Sequence, residues 1–335
     1  MKILVTGGTG YIGSHTSVLL LEQGHEVVII DNLVNSKREV VDNIKEITNK
    51  DVYFYEGDLR DTSLLNKIFT EHQIDAVIHF AGLKAVGESV AKPLEYYDNN
   101  INSTIKLCEV MREYNCKKII FSSSATVYGN PESLPIVEDS RLSVTNPYGA
   151  TKLYNEGILK DLYTSDSEWS ICLLRYFNPV GAHKSGLIGE DPNGIPNNLM
   201  PYIVKVALQE LECLSIFGND YETKDGTGVR DYIHVLDLAE GHIKALDKVR
   251  DNSGVYIYNL GTGIGYSVLE LVKTFERVNG VTVNYKFTER REGDIAACYD
   301  NPDKALKELN WEAKLGIDEM CKDAYSYARR RIKRN

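Results

Sequence analysis

Tyr148 and Lys152, four positions apart, with Ser124 upstream, are the side chains of this sequence best suited to moving a proton. In a helix that spacing sets phenol and ammonium on one face. A free phenol has a pKa of about 10, so only about 0.1% is phenolate at neutral pH. Lowering it by two to three units takes about 3–4 kcal/mol. A neighbouring ammonium and the cationic ring of a bound oxidant can supply that by favouring the anion. Ser122-Ser123-Ser124 follow an apolar run. Ser124 is placed to share a hydrogen bond with a substrate hydroxyl, whereas Ser122 and Ser123 read as turn caps.

A second constellation opens the chain. Thr6-Gly7-Gly8-Thr9-Gly10-Tyr11-Ile12-Gly13 lies between a strand-like run and a helical pattern. Gly7, Gly10 and Gly13 there permit a tight turn, a close approach of backbone N–H groups to a pyrophosphate, and tight helix–sheet packing. Asp31, 18 positions after Gly13, stands where a carboxylate accepts ribose hydroxyls and repels a 2′-phosphate, which favours NAD over NADP. Lys37 and Arg38 pull the other way, since they could neutralise a phosphate. Asp58 reads either as a partner of the adenine amino group or as a helix cap. No G-x-x-x-x-G-K-[ST] run supports a P-loop hydrolase.

These residues need a scaffold, and the pattern provides one. Ile3 to Thr6, Val27 to Asp31, Val52 to Glu56, Ala76 to His79, Ile119 to Ser122 and Ile171 to Arg175 read as strands. Helical patterns fall between them, near Tyr11 to Gln23, Leu64 to Glu71, Leu94 to Tyr114 and Pro147 to Tyr163. The alternation predicts βαβ units, and the nearly continuous apolar runs predict strands covered on both faces. The fold class is α/β, a Rossmann-type doubly wound parallel sheet with a smaller C-terminal α/β substrate-binding domain. Residues 1–175 are expected to bind NAD, and residues 176–335, rich in Pro and Gly, to bind mainly substrate, with some segments returning to the first domain.

With 335 residues, 43% of them hydrophobic, the chain can bury a full core, and two domains are the default. A net charge of −10 argues against nucleic acid or an anionic membrane as partner. The six cysteines form no C-x-x-C pair, and neither a signal segment nor a long apolar run is evident, so a cytoplasmic enzyme with free thiols is expected. Asp231, His234 and Asp237 look like metal ligands, but more plausibly border Arg230 and cap a helix; no metal is expected. The basic end from Arg329 to Arg334 reads as a solvated helix terminus.

Taken together, Val5 to His15, His79 to Val90, Phe121 to Gly129, Leu174 to Ala182, Gly194 to Tyr202, Gly226 to Val235 and Arg290 to Asp294 resemble the extended short-chain dehydrogenases, and more closely the UDP-galactose 4-epimerases. The resemblance implies a homodimer with bound NAD, acting on a UDP-hexose. By it Tyr11, Ile12, Asp31, Asn32, Asn35, Ser36, Asp58, Leu59, Phe80, Ala81, Gly82, Lys84, Asn99 and Phe177 line the NAD site, joined by Ser124, Tyr148 and Lys152. Asn178, Asn198, Leu199, Phe217, Arg230, Arg291 and Asp294 hold the UDP-sugar, with Lys84, Ser124 and Tyr148 also at the sugar. Arg230 and Arg291 offer planar forks for a diphosphate; Phe217 packs on the uracil or is a core aromatic. The resemblance places Cys298 beside the sugar, where a small residue accompanies use of N-acetylated sugars, although a shift of one residue would put Tyr299 there instead. A nucleotide-sugar 4,6-dehydratase is the rival reading, but that family has Asp-Glu where this chain has Ala125-Thr126. An NAD-sensing regulator without chemistry is the other, and it would typically lack the tyrosine and lysine.

Overall fold

The structure, a computed structural model, describes residues 1–193, 196, 198–291 and 294–334, the side chains of 333 and 334 excepted. Gly194, Ile195 and Asn197 of one family-like segment, Glu292 and Gly293 of another, and Asn335 lie outside the described residues. In chain order the strands are β1 (Lys2–Thr6), β2 (Glu26–Asp31), β3 (Tyr53–Glu56), β4 (Ala76–His79), β5 (Lys118–Ser124), β6 (Ser170–Tyr176), β7 (Asn178–Val180), β8 (Leu214–Phe217), β9 (Val229–His234), β10 (Gly254–Leu260), β11 (Gly265–Ser267), β12 (Tyr285–Thr288) and β13 (Ala297–Cys298).

The chain divides into two compact units. The first comprises Met1–Asn130, Arg141–Tyr176 and Ala239–Tyr258. Its seven-stranded sheet runs β10-β6-β5-β4-β1-β2-β3, and the pairings from β3 through to β6 are parallel. Burial explains the composition: Ile3, Leu4, Val5, Val28, Ile29, Val77, Ile119 and Ile171 have no exposed surface, as befits strands covered on both faces. Strand order reverses between β1 and β4, the switch point at which open α/β sheets bind ligands. Beyond the six strands read from sequence, the sheet takes a seventh, β10, from the second half of the chain.

The long helix expected from Leu94 to Tyr114 is instead three consecutive pieces, α-helical at Pro93–Tyr97, one π turn at Asp98–Asn102, and α-helical again at Ser103–Glu113. The cause is Asn100. Its buried amide bonds the Leu83 N–H (2.8 Å), the Leu83 carbonyl (2.9 Å) and Thr151 Oγ1 (3.0 Å). Its own carbonyl accepts the Asn155 amide at 2.9 Å. Such widened turns concentrate at functional sites.

The second unit comprises Pro131–Ser140, Phe177–Leu238 and Asn259–Asn335. It is less loop-dominated than its Pro and Gly content suggests. In one sheet β9 pairs with β7 and β13 in parallel and with β11 antiparallel, and β8 pairs with β12 in a second sheet. Helices Leu199–Ala207, Val268–Asn279 and Ile317–Arg334 share a core around Ile203, Ile216, Leu271, Phe275 and Met320. A capping box starts the second of these: Ser267 Oγ accepts the Glu270 N–H and Glu270 accepts the Ser267 N–H. Pro131–Ser140 belongs here because Ile136 N–H donates to the Tyr299 carbonyl and the Ile136 carbonyl accepts Asn301 N–H. Arg330 and Arg331 are not solvated ends: they bind the Ser185 carbonyl and Asp191. Among the described residues no helix is long and apolar enough to cross a membrane.

Candidate active site

Within the first unit, the Gly-rich turn joins β1 to helix Tyr11–Glu22. Gly7 has φ 68°, and a Cβ on it would stand 2.9 Å from Ala81 N; one on Gly13 would stand 2.3 Å from the Gly7 carbonyl oxygen. Only hydrogen fits at either place. Gly10 begins the helix without a side-chain cap, and no acid occupies the first turn. The helix therefore presents N–H groups that lack intrahelical partners, and their positive dipole end, to an anion.

Asp31, at the end of β2, is tied to this turn: its carboxylate accepts Thr9 N–H (3.1 Å), Leu33 N–H (2.9 Å) and Ser36 Oγ (3.1 Å). Asn32 and Asn35 sit in the same loop, and Asn32 donates to Asp58 at 3.3 Å. Arg60, bonded to the Asp58 carboxylate, holds it down to about 2. Asp58 is not the helix cap; Asp61 is, accepting the Ser63 and Leu64 N–H groups. Leu59 is buried beside it. Arg38 lies 5.0 Å over the Phe54 ring, and this contact weakens its claim on a 2′-phosphate. After β4, Phe80 N–H donates to the Thr6 carbonyl and Ala81 N–H to Thr6 Oγ1, holding the loop of Phe80, Ala81, Gly82 and Lys84 against the glycine turn. Asn99 lies in the π turn and donates to Asn100 at 3.0 Å.

Asn146 starts helix Pro147–Ser165 by accepting the Gly149 N–H at 2.8 Å, with Pro147 in the first turn. Tyr148 and Lys152 share one face, the ammonium 5.9 Å from the phenol ring centroid. Lys152 Nζ donates to the Ser122 carbonyl at 2.6 Å, and burial lowers its pKa to about 8. The expected depression of Tyr148 is not met by the protein alone. Burial pushes its hydroxyl up to about 12, and the hydrogen bond with Ser124 offsets only part of that. The whole side chain is half-buried, but its hydroxyl is surrounded by protein. His79, bridging Thr6 Oγ1 (2.7 Å) and Thr104 Oγ1 (3.0 Å), is driven down to about 3 by burial and then by Lys152. It is therefore neutral.

Ser122 and Ser123 are not the turn caps expected of them. Ser124 is the residue that caps a turn, accepting Thr126 N–H at 3.2 Å, while it also meets Tyr148. Ser123 Oγ donates to Glu156 at 2.6 Å and Ser122 Oγ bonds Tyr176. Glu156 and Arg175 were not singled out from the sequence. The available signal was the acid at i+8 from Tyr148, on the face shared with Lys152.

In the second unit, β7, β9 and β13 collect several of the expected substrate residues on one sheet. Asn178 is exposed on β7, and Cys298 lies in register with Arg230. Arg230 Nη1 donates to the Val229 (2.8 Å) and Ile295 (2.9 Å) carbonyls, and Nη2 is 3.9 Å from Asp294. Arg291 lies 3.8 Å over the Phe217 ring, so Phe217 is half-buried beneath a guanidinium and is not a core aromatic. Tyr299 packs against Gly265. Asn198 precedes Leu199 at the start of a helix and donates to Glu190 at 2.6 Å. Phe177 is buried. Asp231 and Asp237 bind backbone N–H groups of loops. Asp231 accepts N–H groups of Thr262, Gly263 and Asp300, and Asp237 accepts those of Lys314 and Leu315. His234 Nδ1 accepts Leu236 N–H at the helix start instead.

Known proteins share this arrangement. A family model described as GDP-mannose 4,6 dehydratase matches residues 4–324. The UDP-glucose 4-epimerase of Bacillus subtilis (strain 168) is 64% identical over 327 residues, 98% of this chain and 96% of that protein. The solved UDP-glucose 4-epimerase of Bifidobacterium longum, in complex with NAD+ and UDP, is 55% identical with a TM-score of 0.96, covering 98% of both chains. That of Stenotrophomonas maltophila, with bound NAD and formylated UDP-arabinopyranose, is 48% identical with a TM-score of 0.98, covering 100% of both.

Proposed function

Since this chain belongs to the UDP-glucose 4-epimerases of the extended short-chain dehydrogenase/reductase family, we propose that it interconverts UDP-glucose and UDP-galactose through a transient 4-keto sugar. The observation that carries the reading is Tyr148, Lys152 and Ser124 converging at the carboxyl edge of a sheet whose switch point holds the glycine turn. The residues fit NAD. The turn admits no Cβ at Gly7 or Gly13, the uncapped helix suits a pyrophosphate, and Asp31 suits a ribose diol. NAD, when bound, supplies an acceptor that takes the C4 hydride and returns it, so it is not consumed.

The chain does the rest. Tyr148 takes the proton from the sugar O4 and restores it to the inverted centre, acting as base and then as acid. Ser124 orients that hydroxyl, and Lys152 supplies positive charge to the phenolate. The second unit grips the UDP through Arg230, Arg291, Phe217, Asn178 and Asn198, while the sugar stays free enough to turn over as a ketose. The small side chain of Cys298 at that position supports a range extended to UDP-GlcNAc and UDP-GalNAc. Cys298→Tyr should abolish N-acetyl turnover and spare the plain hexoses.

A 4,6-dehydratase, despite the family model's description, has no added acid and base here, where Ala125 and Thr126 follow Ser124. We also place the enzyme in the cytoplasm, in line with its free cysteines. A homodimer through the helices near residues 86–113 and 147–165 accounts for exposed Val90 (64%), Leu94 (78%) and Tyr154 (52%), with Tyr97 stacked on Tyr154. NMR of the purified protein with UDP-galactose and with UDP-GalNAc, no NAD added, tests chemistry, cofactor retention and sugar range together. Absence of turnover even after NAD is supplied would remove the reading.

A further inference from the structure

Lys152 and Glu156 are one helical turn apart, a spacing that ordinarily pairs an ammonium with a carboxylate. Here they do not pair. Among the described residues no carboxylate stands within ion-pair distance of Lys152, whose Nζ bonds the Ser122 carbonyl instead. Glu156 is fully buried and already engaged. Oε1 accepts Arg175 Nε (2.9 Å) and Ser123 Oγ (2.6 Å), and Oε2 accepts Arg175 Nη2 (2.6 Å). Lys160 approaches Oε2 only to 3.7 Å, from the solvent side of the same helix. The Arg175 fork is 1% exposed, and its Nη1 donates to the Tyr128 hydroxyl at 3.1 Å. Burial pulls the arginine's pKa down, but the pair with Glu156 outweighs this and holds it charged.

We infer that Arg175 is a positioning residue that keeps Glu156 from capturing the Lys152 ammonium, so that this charge stays with the Tyr148 phenol. The inference rests on the proposed role of Tyr148 as the base. A planar bidentate fork in an apolar interior outcompetes a lysine for the same carboxylate. With Glu156 engaged by Arg175, the Glu88 carboxylate on the neighbouring helix is engaged too, by the Tyr96 hydroxyl (3.0 Å) and Lys92 (3.1 Å). His79 on β4 is a neutral imidazole, and Tyr96 from helix Pro93–Tyr97 and Tyr176 from β6 are phenols whose pKa burial raises further. Lys152 is thus a buried cation without a carboxylate partner among the described residues, standing 5.9 Å from the Tyr148 ring centroid and acting also on the neutral His79. Remove the fork, and Glu156 becomes a buried carboxylate balanced only by the lysines of its own helix, Lys160 at 3.7 Å from the solvent side and Lys152 one turn earlier on the buried side.

The test uses the NAD-loaded full chain. Arg175→Met should move the acidic limb of the kcat pH profile upward by about 1–2 units, the scale on which one nearby cation acts. Arg175→Met with Glu156→Gln should return it to the wild-type position, because no carboxylate remains to capture Lys152. Arg175→Lys keeps the charge without the fork and should shift the limb in the same direction by less. If Arg175→Met does not fold, Arg175→Lys with and without Glu156→Gln decides alone. A folded Arg175 variant with a wild-type limb, or a double variant as displaced as its single parent, overturns the inference. Difference absorbance of the phenolate, corrected with Tyr148→Phe, reads the same titration without turnover. Failure of the epimerase reading is thereby told apart from failure of this one.

Discussion

Replacing Lys152 with Met isolates the electrostatic step. The side chain is 6% exposed, and Met fills the same apolar channel beside the Phe121 ring. The cost to stability should be about 1–3 kcal/mol, from the Ser122 carbonyl left without its donor. The effect on chemistry is larger. Tyr148 starts from about 12 in the protein alone. That value is reached with Lys152 in place, its ammonium 5.9 Å from the phenol ring centroid; at an effective dielectric of about 20 a unit charge at about 6 Å is worth about 3 kcal/mol or two pKa units, so without it the phenol would stand higher still. NAD, when bound, would supply a further positive charge in its oxidised nicotinamide and so would lower the phenol from that value. Lys152 lies near 8, and at that separation the two groups titrate as a coupled pair. Lys152→Met should therefore raise the acidic limb of kcat by about two units, and kcat at pH 7 should fall about 100-fold, recovering as the pH rises. The assay is the full kcat pH profile at saturating UDP-galactose, with bound NAD quantified separately. A loss of activity equal at every pH, with NAD retained, would refute the electrostatic reasoning.

Three further outcomes are expected. Gly13→Ala places a methyl 2.3 Å from the Gly7 carbonyl oxygen, a backbone contact with no rotamer to relieve it; it should cost about 1–3 kcal/mol by thermal melt and release NAD on gel filtration. Burial, then the Asp231 and Glu138 carboxylates, push Asp300 up to about 8. The folded protein holds a proton that the unfolded chain releases near pH 4, so this group's stabilising contribution is lost as pH rises from about 4 to about 8. Asp300→Asn removes that slope: urea unfolding should show the variant gaining on wild type toward pH 8, and a gap independent of pH would count against it. Leu94→Asp, at a side chain 78% exposed, should yield monomers by light scattering if the helices near residues 86–113 form the dimer surface.

The sequence made local features legible. Runs such as Ile3-Leu4-Val5 announce buried strands because burial on both faces demands them, and the glycine turn announces itself because no Cβ fits there. What escaped depends on distant segments meeting. Asn100 widens a helical turn because it must reach Leu83 and Asn155, which no local propensity records. Asp58 reads as a possible cap, yet the backbone starts the helix three residues later and takes Asp61. The upward shift of Tyr148 was missed for the same reason: the lysine at i+4 is visible in sequence, whereas the desolvation that outweighs it comes from the packed sheet.

The three serines carry this furthest. Ser122, Ser123 and Ser124 read as one polar stretch ending a strand, yet each meets a different turn of the helix Pro147–Ser165. The Ser122 carbonyl takes Lys152, the Ser123 hydroxyl takes Glu156, and the Ser124 hydroxyl takes Tyr148. The Ser123 and Ser124 hydroxyls both reach that helix because β5 ends at Ser124, where the chain turns and Ser124 also accepts Thr126 N–H. The register Ser123↔Arg175 between β5 and β6 sets the serine and the arginine that share Glu156 side by side. The same β-ladder that builds the core thus fixes which groups remain near Tyr148, and with them the charge that its phenolate experiences.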